Sequence, residues 1–474
     1  MATTGVPPAL EDALRKSLAA HVSERESVLT AFLAAEQARL ARVCFEMARA
    51  FSRGGTLIAF GCGSAATDAA HLGVEFMHPV IVGKRALPAL ALSNDPTGAS
   101  RLASLARSDD IAVGLSHSHA DPAVEGFLSR AASRGLLTIA FGGGASSRQR
   151  EHLGRSSDHA LIVPSGDPLV VQEVQETAYH IIWELVHVFF EHPGLLDDAC
   201  ITCGDVAVPA NVVALADRRA VIEKDGAREE IAVDLVDDVA IGDLLLCHAG
   251  VALQKLPAGE SADRPPDGGV AEPTNFLYPF LDSEEVDLES VLADVQASTL
   301  QKGSDVSALR ATIDLDVVAR CGAAMRERLD RGGRLISFGN GGSSTDAQDL
   351  AADCLYCGWP AIALTNDPAT VTAVANDVGF DKVFARQLIA LGRSQDIAVG
   401  ISTSGSSANV VAGLEEANRC EMLTCGIAGY DGGRLAELPW LDFLVIVRND
   451  YIPRLQEAQA TVYHLLLEAA LGER

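Results

Sequence analysis

Two short runs in the C-terminal third carry the residues best suited to chemistry. Gly339-Asn-Gly-Gly-Ser-Ser344 and Ser402-Thr-Ser-Gly-Ser-Ser407 are turns of glycine and hydroxyl residues, each preceded by an apolar run and followed by a helical pattern. A turn between strand and helix aims backbone amides and hydroxyls at one point, and the helix dipole favours an anion there. Asn340, Gly341, Gly342, Ser343 and Ser344 from the first, with Ser402, Thr403, Ser404, Ser407 and Asn409 from the second, would therefore hold one phosphoryl group. The formal net charge of −27 excludes nucleic acid as a partner, because no basic surface is present to replace the counterions around phosphates. An acidic membrane surface would be repelled for the same reason. A bound phosphate must then rely on amides and hydroxyls. Farther upstream, Cys200, Cys203 and His248 are soft and borderline ligands suited to iron, nickel or zinc.

The elements that would position these residues occur twice. Leu57-Ile-Ala-Phe-Gly-Cys-Gly-Ser-Ala-Ala-Thr-Asp68 matches Leu335-Ile-Ser-Phe-Gly-Asn-Gly-Gly-Ser-Ser-Thr-Asp346, and Asp110-Ile-Ala-Val-Gly-Leu-Ser-His-Ser118 matches Asp396-Ile-Ala-Val-Gly-Ile-Ser-Thr-Ser404. Two further matches follow in the same order, which indicates one domain duplicated. Within each copy, continuous apolar runs alternate with amphipathic helical patterns, the mark of a parallel sheet covered on both faces. In the second copy the strands are expected at Arg334–Phe338, Ala361–Thr365, Ile397–Ile401, Leu423–Ala428 and Phe443–Val447, and a long last helix at Arg454–Leu471. Between the copies, Val206–Leu215, Arg219–Lys224, Glu229–Val233 and Leu244–Ala252 are β-prone runs with turn signals between them, a small barrel-like unit. The expected plan is α/β: two doubly wound parallel-sheet domains at 1–195 and 276–474, flanking an all-β module at 198–258 and a Pro/Gly-rich flexible linker at 259–275. The first copy's turns are altered. Ala65 and Ala66 lack hydroxyls, and Asp121 would repel a phosphate.

Ser337-Phe-Gly-Asn-Gly-Gly-Ser-Ser-Thr-Asp-Ala347, Ala375-Asn-Asp-Val-Gly-Phe380, Gly400-Ile-Ser-Thr-Ser-Gly-Ser-Ser-Ala-Asn-Val410 and the helix from Gln456 to His464 resemble the sedoheptulose 7-phosphate (phosphoheptose) isomerase group of sugar-isomerase (SIS) proteins. The resemblance covers nearly all of 276–474 and, more weakly, 1 to about 192. It implies aldose–ketose isomerisation by proton transfer between adjacent carbons, a general base and acid, zinc in some members, and a homo-oligomer with sites between subunits. The family's catalytic and metal positions fall on His71, Glu75, Gln172 and His180 in the first copy, implying a zinc ion there, and on Asp349, Asp353, Gln456 and His464 in the second. Glu75, His180, Asp353 and His464 are the implied acid–base residues, and Gln456 joins the implied substrate contacts. Pro79 and Cys357 stand where many members carry an arginine. The first copy keeps the acid–base residues while the second keeps the phosphate turns, so one reading is a composite site across the two domains. Another is that the second copy binds and the first is scaffold.

The middle segment, from Cys200-Ile-Thr-Cys203 to Gly242-Asp-Leu-Leu-Leu-Cys-His-Ala-Gly250, resembles the HypC/HupF family of hydrogenase-assembly chaperones. That resemblance implies iron handled by Cys200 or Cys203 with His248, and partners among the hydrogenase large subunit or maturation proteins. No signal peptide or membrane span is evident in the chain, and a cytoplasmic location with reduced thiols is expected. Three functions are thus in view: a sugar-phosphate-binding protein of [NiFe]-hydrogenase maturation, a sugar-phosphate isomerase with a docking module, and a sugar-phosphate sensor without turnover.

Overall fold

Five short apolar runs in each copy become five parallel strands. The computed structural model describes residues 8–81, 84–92, 98–118, 121–144, 157–196, 208–216, 218–224, 227–236, 238–248, 250–256 and 287–471. The first copy runs α1 (Pro8–Ser52), β1 (Leu57–Gly61), α2 (Ala65–Met77), β2 (Ala89–Ala91), α3 (Gly98–Leu105), β3 (Ile111–Leu115), α4 (Pro122–Ala132), β4 (Leu137–Gly143), β5 (His159–Val163) and α5 (Pro168–Phe190). The module follows as β6 (Val208–Ala216), β7 (Arg219–Lys224), β8 (Ala227–Ala232), β9 (Leu244–His248) and β10 (Val251–Lys255). The second copy repeats the first: α6 (Leu288–Arg310), α7 (Leu315–Asp330), β11 (Leu335–Phe338), α8 (Gly342–Tyr356), β12 (Ala361–Ala363), α9 (Pro368–Asp377), α10 (Val383–Leu391), β13 (Ile397–Ser402), α11 (Ala408–Arg419), β14 (Leu423–Ala428), β15 (Phe443–Ile446) and α12 (Ile452–Leu471).

The two sheets have one topology, β2-β1-β3-β4-β5 and β12-β11-β13-β14-β15, all parallel. Their central strands are buried on both faces, which is why they read as unbroken apolar runs. The module is a closed five-stranded barrel around Val212, Ile222, Ile231, Leu245 and Cys247. The single run expected at Leu244–Ala252 is in fact two strands. The chain reverses there, Gly250 takes φ +75°, and β9 and β10 pair antiparallel. Apolar residues continue through the turn, so hydrophobicity alone did not reveal it. The expected linker at 259–275 lies outside the described residues.

The copies share their leading helices rather than keeping them. Leu18 and Val22, early in α1, pack in the core of the second sheet, while Leu29 to Phe51 of the same helix pack in the first. Conversely Val291, Leu292 and Val295, early in α6, join the first core. At 1.5 Å per residue, a 45-residue helix is about 68 Å long, enough to reach across both domains. The terminal helices α5 and α12 are buried nearly all round, as core helices of large proteins are. They nevertheless carry Glu173, Glu176, His180 and Glu184, or Glu457 and His464, and every such group needs a partner.

Arg25 supplies one for both domains. Its guanidinium donates to Glu173 on α5 (2.7 Å) and to Glu468 on α12 (2.9 Å), with the arginine and Glu173 essentially without exposure. Removing one partner of a buried pair leaves the other uncompensated. Arg25→Ala is expected to lower stability by about 3–5 kcal/mol, read as a shifted midpoint in urea unfolding; an unchanged midpoint would show the pair to be dispensable.

Candidate functional site

The site is assembled from four helices that meet where the domains touch: α2 and α5 from the first, α8 and α12 from the second. Positions related by the repeat make reciprocal contacts across the boundary. His180 Nδ1 lies 3.1 Å from Glu457 Oε1, and His464 Nδ1 lies 2.8 Å from Glu173 Oε1. Tyr179 places its hydroxyl 3.0 Å from His71 Nδ1, and Tyr463 donates to Asp349 Oδ2 at 2.9 Å. All of these groups are buried.

The two halves of this arrangement differ in charge. In the first, His71, Glu75 and His180 each offer one ligand atom, and the three atoms lie within 4.8 Å of one another. Burial, with the nearby charge of His71, pushes His180 down to about 3, so its imidazole is neutral. Burial acts the same way on His71, but donation of its ring N–H to Glu75 and the charges of Asp346 and Glu176 overcome it and lift His71 to about 9. Glu75 Oε2, His180 Nε2 and Gln456 Oε1 are buried without a hydrogen-bond partner among the described residues. Such orphaned acceptors around a neutral imidazole fit a divalent cation of the zinc class, with His71, Glu75, His180 and Gln456 as its holders. The glutamine expected there, Gln172, instead donates to Asp68 (3.1 Å) and Glu176 (3.3 Å). Gln456, from the other copy, stands 3.4 Å from His71 Nε2.

In the second half, Asp349, Asp353 and His464 form the equivalent group, but it is already neutralised from within. His464 Nε2 reaches Asp353 Oδ2 at 3.2 Å while Nδ1 faces Glu173. Burial opposes charge on His464, yet the hydrogen bonds of Asp349, Asp353 and Glu173 outweigh it and raise the imidazole well above its usual range. Glu173 in turn is held far below the usual carboxylate range by Arg25, His464 and Arg310, against burial. This is an internal ion cluster rather than an open ligand set.

The phosphate turns of the second copy lie together. Asn340 and Asn409 exchange amide hydrogen bonds of 2.8 Å in both directions, tying the first turn to the second. Ser402 Oγ donates to Ser407 Oγ (3.0 Å) and lies 3.5 Å from Ser404 Oγ, which is exposed. Neither Gly341 before α8 nor Ser407 before α11 caps its helix with a side chain, so neither helix start has its amides satisfied by a capping side chain. Ser343 is buried, whereas Thr403 and Ser344 are partly exposed. Gly342 joins the turns to the first half of the cluster. A Cβ there would collide with Gln456 Nε2 and come within 2.8 Å of His71 Nε2, so only glycine permits this approach. In the first copy the helix start is closed instead: Asp121 accepts from the amides of Ala123 (2.9 Å) and Val124 (3.3 Å), occupying the anion position with its own carboxylate.

Comparison with known proteins fits this geometry. A phosphoheptose isomerase from Desulfovibrio desulfuricans is 50% identical over 146 residues, 30% of this chain and 69% of that protein. The chain belongs to the phosphoheptose isomerase family. A second member, from Solidesulfovibrio magneticus, is 40% identical over 176 residues, 36% of this chain and 85% of that protein. The SIS domain model matches 306–429 and the HupF/HypC family model matches 206–264. Among solved structures, the C-terminal domain of glucosamine-fructose-6-phosphate aminotransferase from Francisella tularensis aligns over 95% of this chain and 93% of its own with a TM-score of 0.52, at 10% identity, which speaks to the tandem fold alone. Among the described residues, no helix is long and apolar enough to cross a membrane.

Of the middle module's ligand candidates, Cys200 and Cys203 lie outside the described residues, as does the side chain of His248 at the end of β9. Sequence reasoning missed Glu173, Glu457, Tyr179 and Tyr463, although the repeat itself marked them: Gln-Glu and Tyr-His recur at matched positions of the last helices. Arg25 carried no such signal, since its first partner is 148 residues away.

The His464 cluster has a pH signature. A histidine whose folded pKa lies above its unfolded value binds the extra proton only when folded. Its contribution is complete below about pH 6.5 and is lost as pH rises toward the folded value. Unfolding free energy measured in urea between pH 6 and 9 should therefore decline, and less steeply in His464→Gln; equal slopes for the two proteins would refute the charged assignment.

Proposed function

We propose that this protein binds a phosphorylated sugar in the second copy's turns and isomerises it at the His71–Glu75–His180 cluster, with Gln456 completing the site across the domain boundary. The observation that carries this reading is the contact of Gly342 with both His71 and Gln456, which sets the phosphate turn of one copy against the acid–base residues of the other. Neither copy is equipped alone. The phosphoheptose isomerases it resembles make a heptose phosphate of the sedoheptulose 7-phosphate type the first substrate to test.

In this reading the amides opening α8 and α11, with Ser404 and Ser407, fix the phosphoryl group without any basic side chain. Glu75 keeps Oε1 against His71 (3.6 Å) and leaves Oε2 free to carry a proton between adjacent carbons of the sugar. His180 Nε2, also without a partner, serves the substrate oxygens where no metal is bound and would be the ring's ligand atom for a zinc ion, while Glu457 holds its ring in place through Nδ1. A zinc ion at these residues would polarise the substrate carbonyl. Asp353 and His464, the matched residues of the second copy, are tied to each other and to Glu173, and their role is to hold the interface.

Glu75→Gln should lower kcat on sedoheptulose 7-phosphate by about 10²–10⁴-fold, whereas Ser404→Ala should act mainly on KM. Elemental analysis of purified protein should find zinc that is lost in His71→Ala and kept in Asp353→Ala. Absence of turnover together with intact sugar-phosphate binding would leave a sensor.

A second reading rests on the HupF/HypC match at 206–264. In it, the barrel docks the chain to a hydrogenase large subunit or its maturation proteins, with iron held by Cys200 or Cys203 and His248, and the sugar site tunes that role. Pull-down of a hydrogenase subunit by the full chain but not by a barrel-deleted one, or infrared bands of iron-bound cyanide and carbonyl, would support it. Failure of both would leave the isomerase reading alone.

A further inference from the structure

The first copy's altered turns contain a hydrogen-bonded chain that the isomerase reading does not use. Ser64 Oγ lies 3.0 Å from His117 Nδ1, and His117 Nε2 lies 2.6 Å from Asp68 Oδ2. We propose that Ser64, His117 and Asp68 form a nucleophilic site that cleaves small carboxylic esters, with Ser64 attacking, His117 taking its proton and Asp68 positioning the imidazole.

Three features favour a reactive arrangement over a filled gap. Ser64 sits on a strand–turn–helix junction between β1 and α2, at the cap position of a 13-residue helix, yet its hydroxyl does not cap the helix and turns to the histidine instead. The hydroxyl's residue is partly exposed while the His117 side chain is 8% and that of Asp68 2% exposed, the order expected when a nucleophile faces solvent and its supports do not. Asp68 is held from behind by Gln172 Nε2 at 3.1 Å, so the last member of the chain is itself oriented. The second copy shows what the site was built from. It has Gly342 and Thr403 where the first has Ser64 and His117, and retains only the aspartate, Asp346. The two replacements lie 53 residues apart in sequence and meet each other in space.

The chemistry balances without a cofactor. Ser64 Oγ attacks the ester carbonyl as its proton passes to His117 Nδ1, and the Asp68 carboxylate stabilises the imidazolium. The carbon–oxygen bond to the leaving alcohol breaks, and that alcohol takes the proton from Nδ1. Water then attacks acyl-Ser64, gives a proton to Nδ1, and the serine recovers it as the acid departs. In this proposal the amide of Ala65, at the start of α2 where the helix dipole favours an anion, is the donor for the developing oxyanion, since those of Ala66 and Thr67 already bond to Gly63 and Ser64 carbonyls. None of His71, Glu75 or His180 takes part, so this site stands or falls separately from the isomerase.

The test uses the full chain with diisopropyl fluorophosphate and with p-nitrophenyl acetate. One diisopropylphosphoryl group on the peptide containing Ser64 is expected, together with ester hydrolysis reduced by at least about 10³-fold in Ser64→Ala and in His117→Gln. Thermal unfolding of each variant checks that it folds. Should Ser64→Ala not fold, Ser64→Cys is alkylated by iodoacetamide, faster with His117 than in the double variant carrying His117→Gln. Absence of adduct on Ser64 in the folded wild type overturns the proposal. So does labelling at an unchanged rate in folded His117→Gln, or alkylation of the cysteine that ignores His117.

Discussion

Charge buried between the two domains is the constraint on which the rest of the molecule depends. Taking a carboxylate out of water costs several kcal/mol unless partners surround it, and α5 and α12 bring Glu173, Glu184 and Glu457 into the centre of the protein. Each is met from another part of the chain: Glu173 by Arg25, Arg310 and His464, Glu184 by Lys302 and Arg454, Glu457 by Arg454 and His180. Arg25 comes from α1, Lys302 and Arg310 from α6. The leading helices are therefore shared between the domains for an electrostatic as well as an apolar reason. A domain cut out at 195 or 276 would leave these carboxylates unpaired.

The same bookkeeping explains how two copies of one domain diverge. With Glu75 and His71 on α2, the first half of the interface has a neutral histidine and acceptors without partners, a condition that a bound ion or ordered water would relieve. Replacing those residues by Asp353 and Asp349 on α8 shortens one side chain and substitutes a carboxylate for an imidazole, and His464 stands between Asp349, Asp353 and Glu173. It then holds its proton, and the half closes on itself. One pseudo-symmetric interface thus supplies an open site and a locked one, and the open one borrows its glutamine from the far copy.

Much of the architecture was legible because period and repetition report it directly. Continuous apolar runs gave the parallel strands to within about two residues of their observed ends, and the fourfold internal match gave the duplication. Legibility failed where the deciding contact is distant. That Gln456 and not Gln172 faces His71 depends on how the helices of the two domains pack together, which no spacing within either helix encodes. The β9–β10 turn was hidden because Val251 and Ala252 continue the apolar run across Gly250. Arg25 lies on a helix whose polar residues give no hint which one turns inward.

The turns after β1 and β3 differ from their counterparts in how their helix-start amides are satisfied. In the second copy, α11 opens with uncapped amides and α8 with a glycine, and the space between them is lined by hydroxyls. In the first, Asp121 satisfies the amides opening α4, and His117 swings from the second turn to the first, where Ser64 and Asp68 receive it. A carboxylate at a helix start gains from the dipole as a phosphate does, so the fold needs no ligand there to be stable. Once those amides are satisfied internally, the residues around them need supply no contacts to a ligand. Ser64 and His117 stand at the two positions so altered, while Asp68, whose position is also an aspartate in the second copy, receives Tyr179 and Gln172 from α5. The aspartate thus belongs to the interface, and the serine and histidine are what sets the first copy's turns apart from the second's.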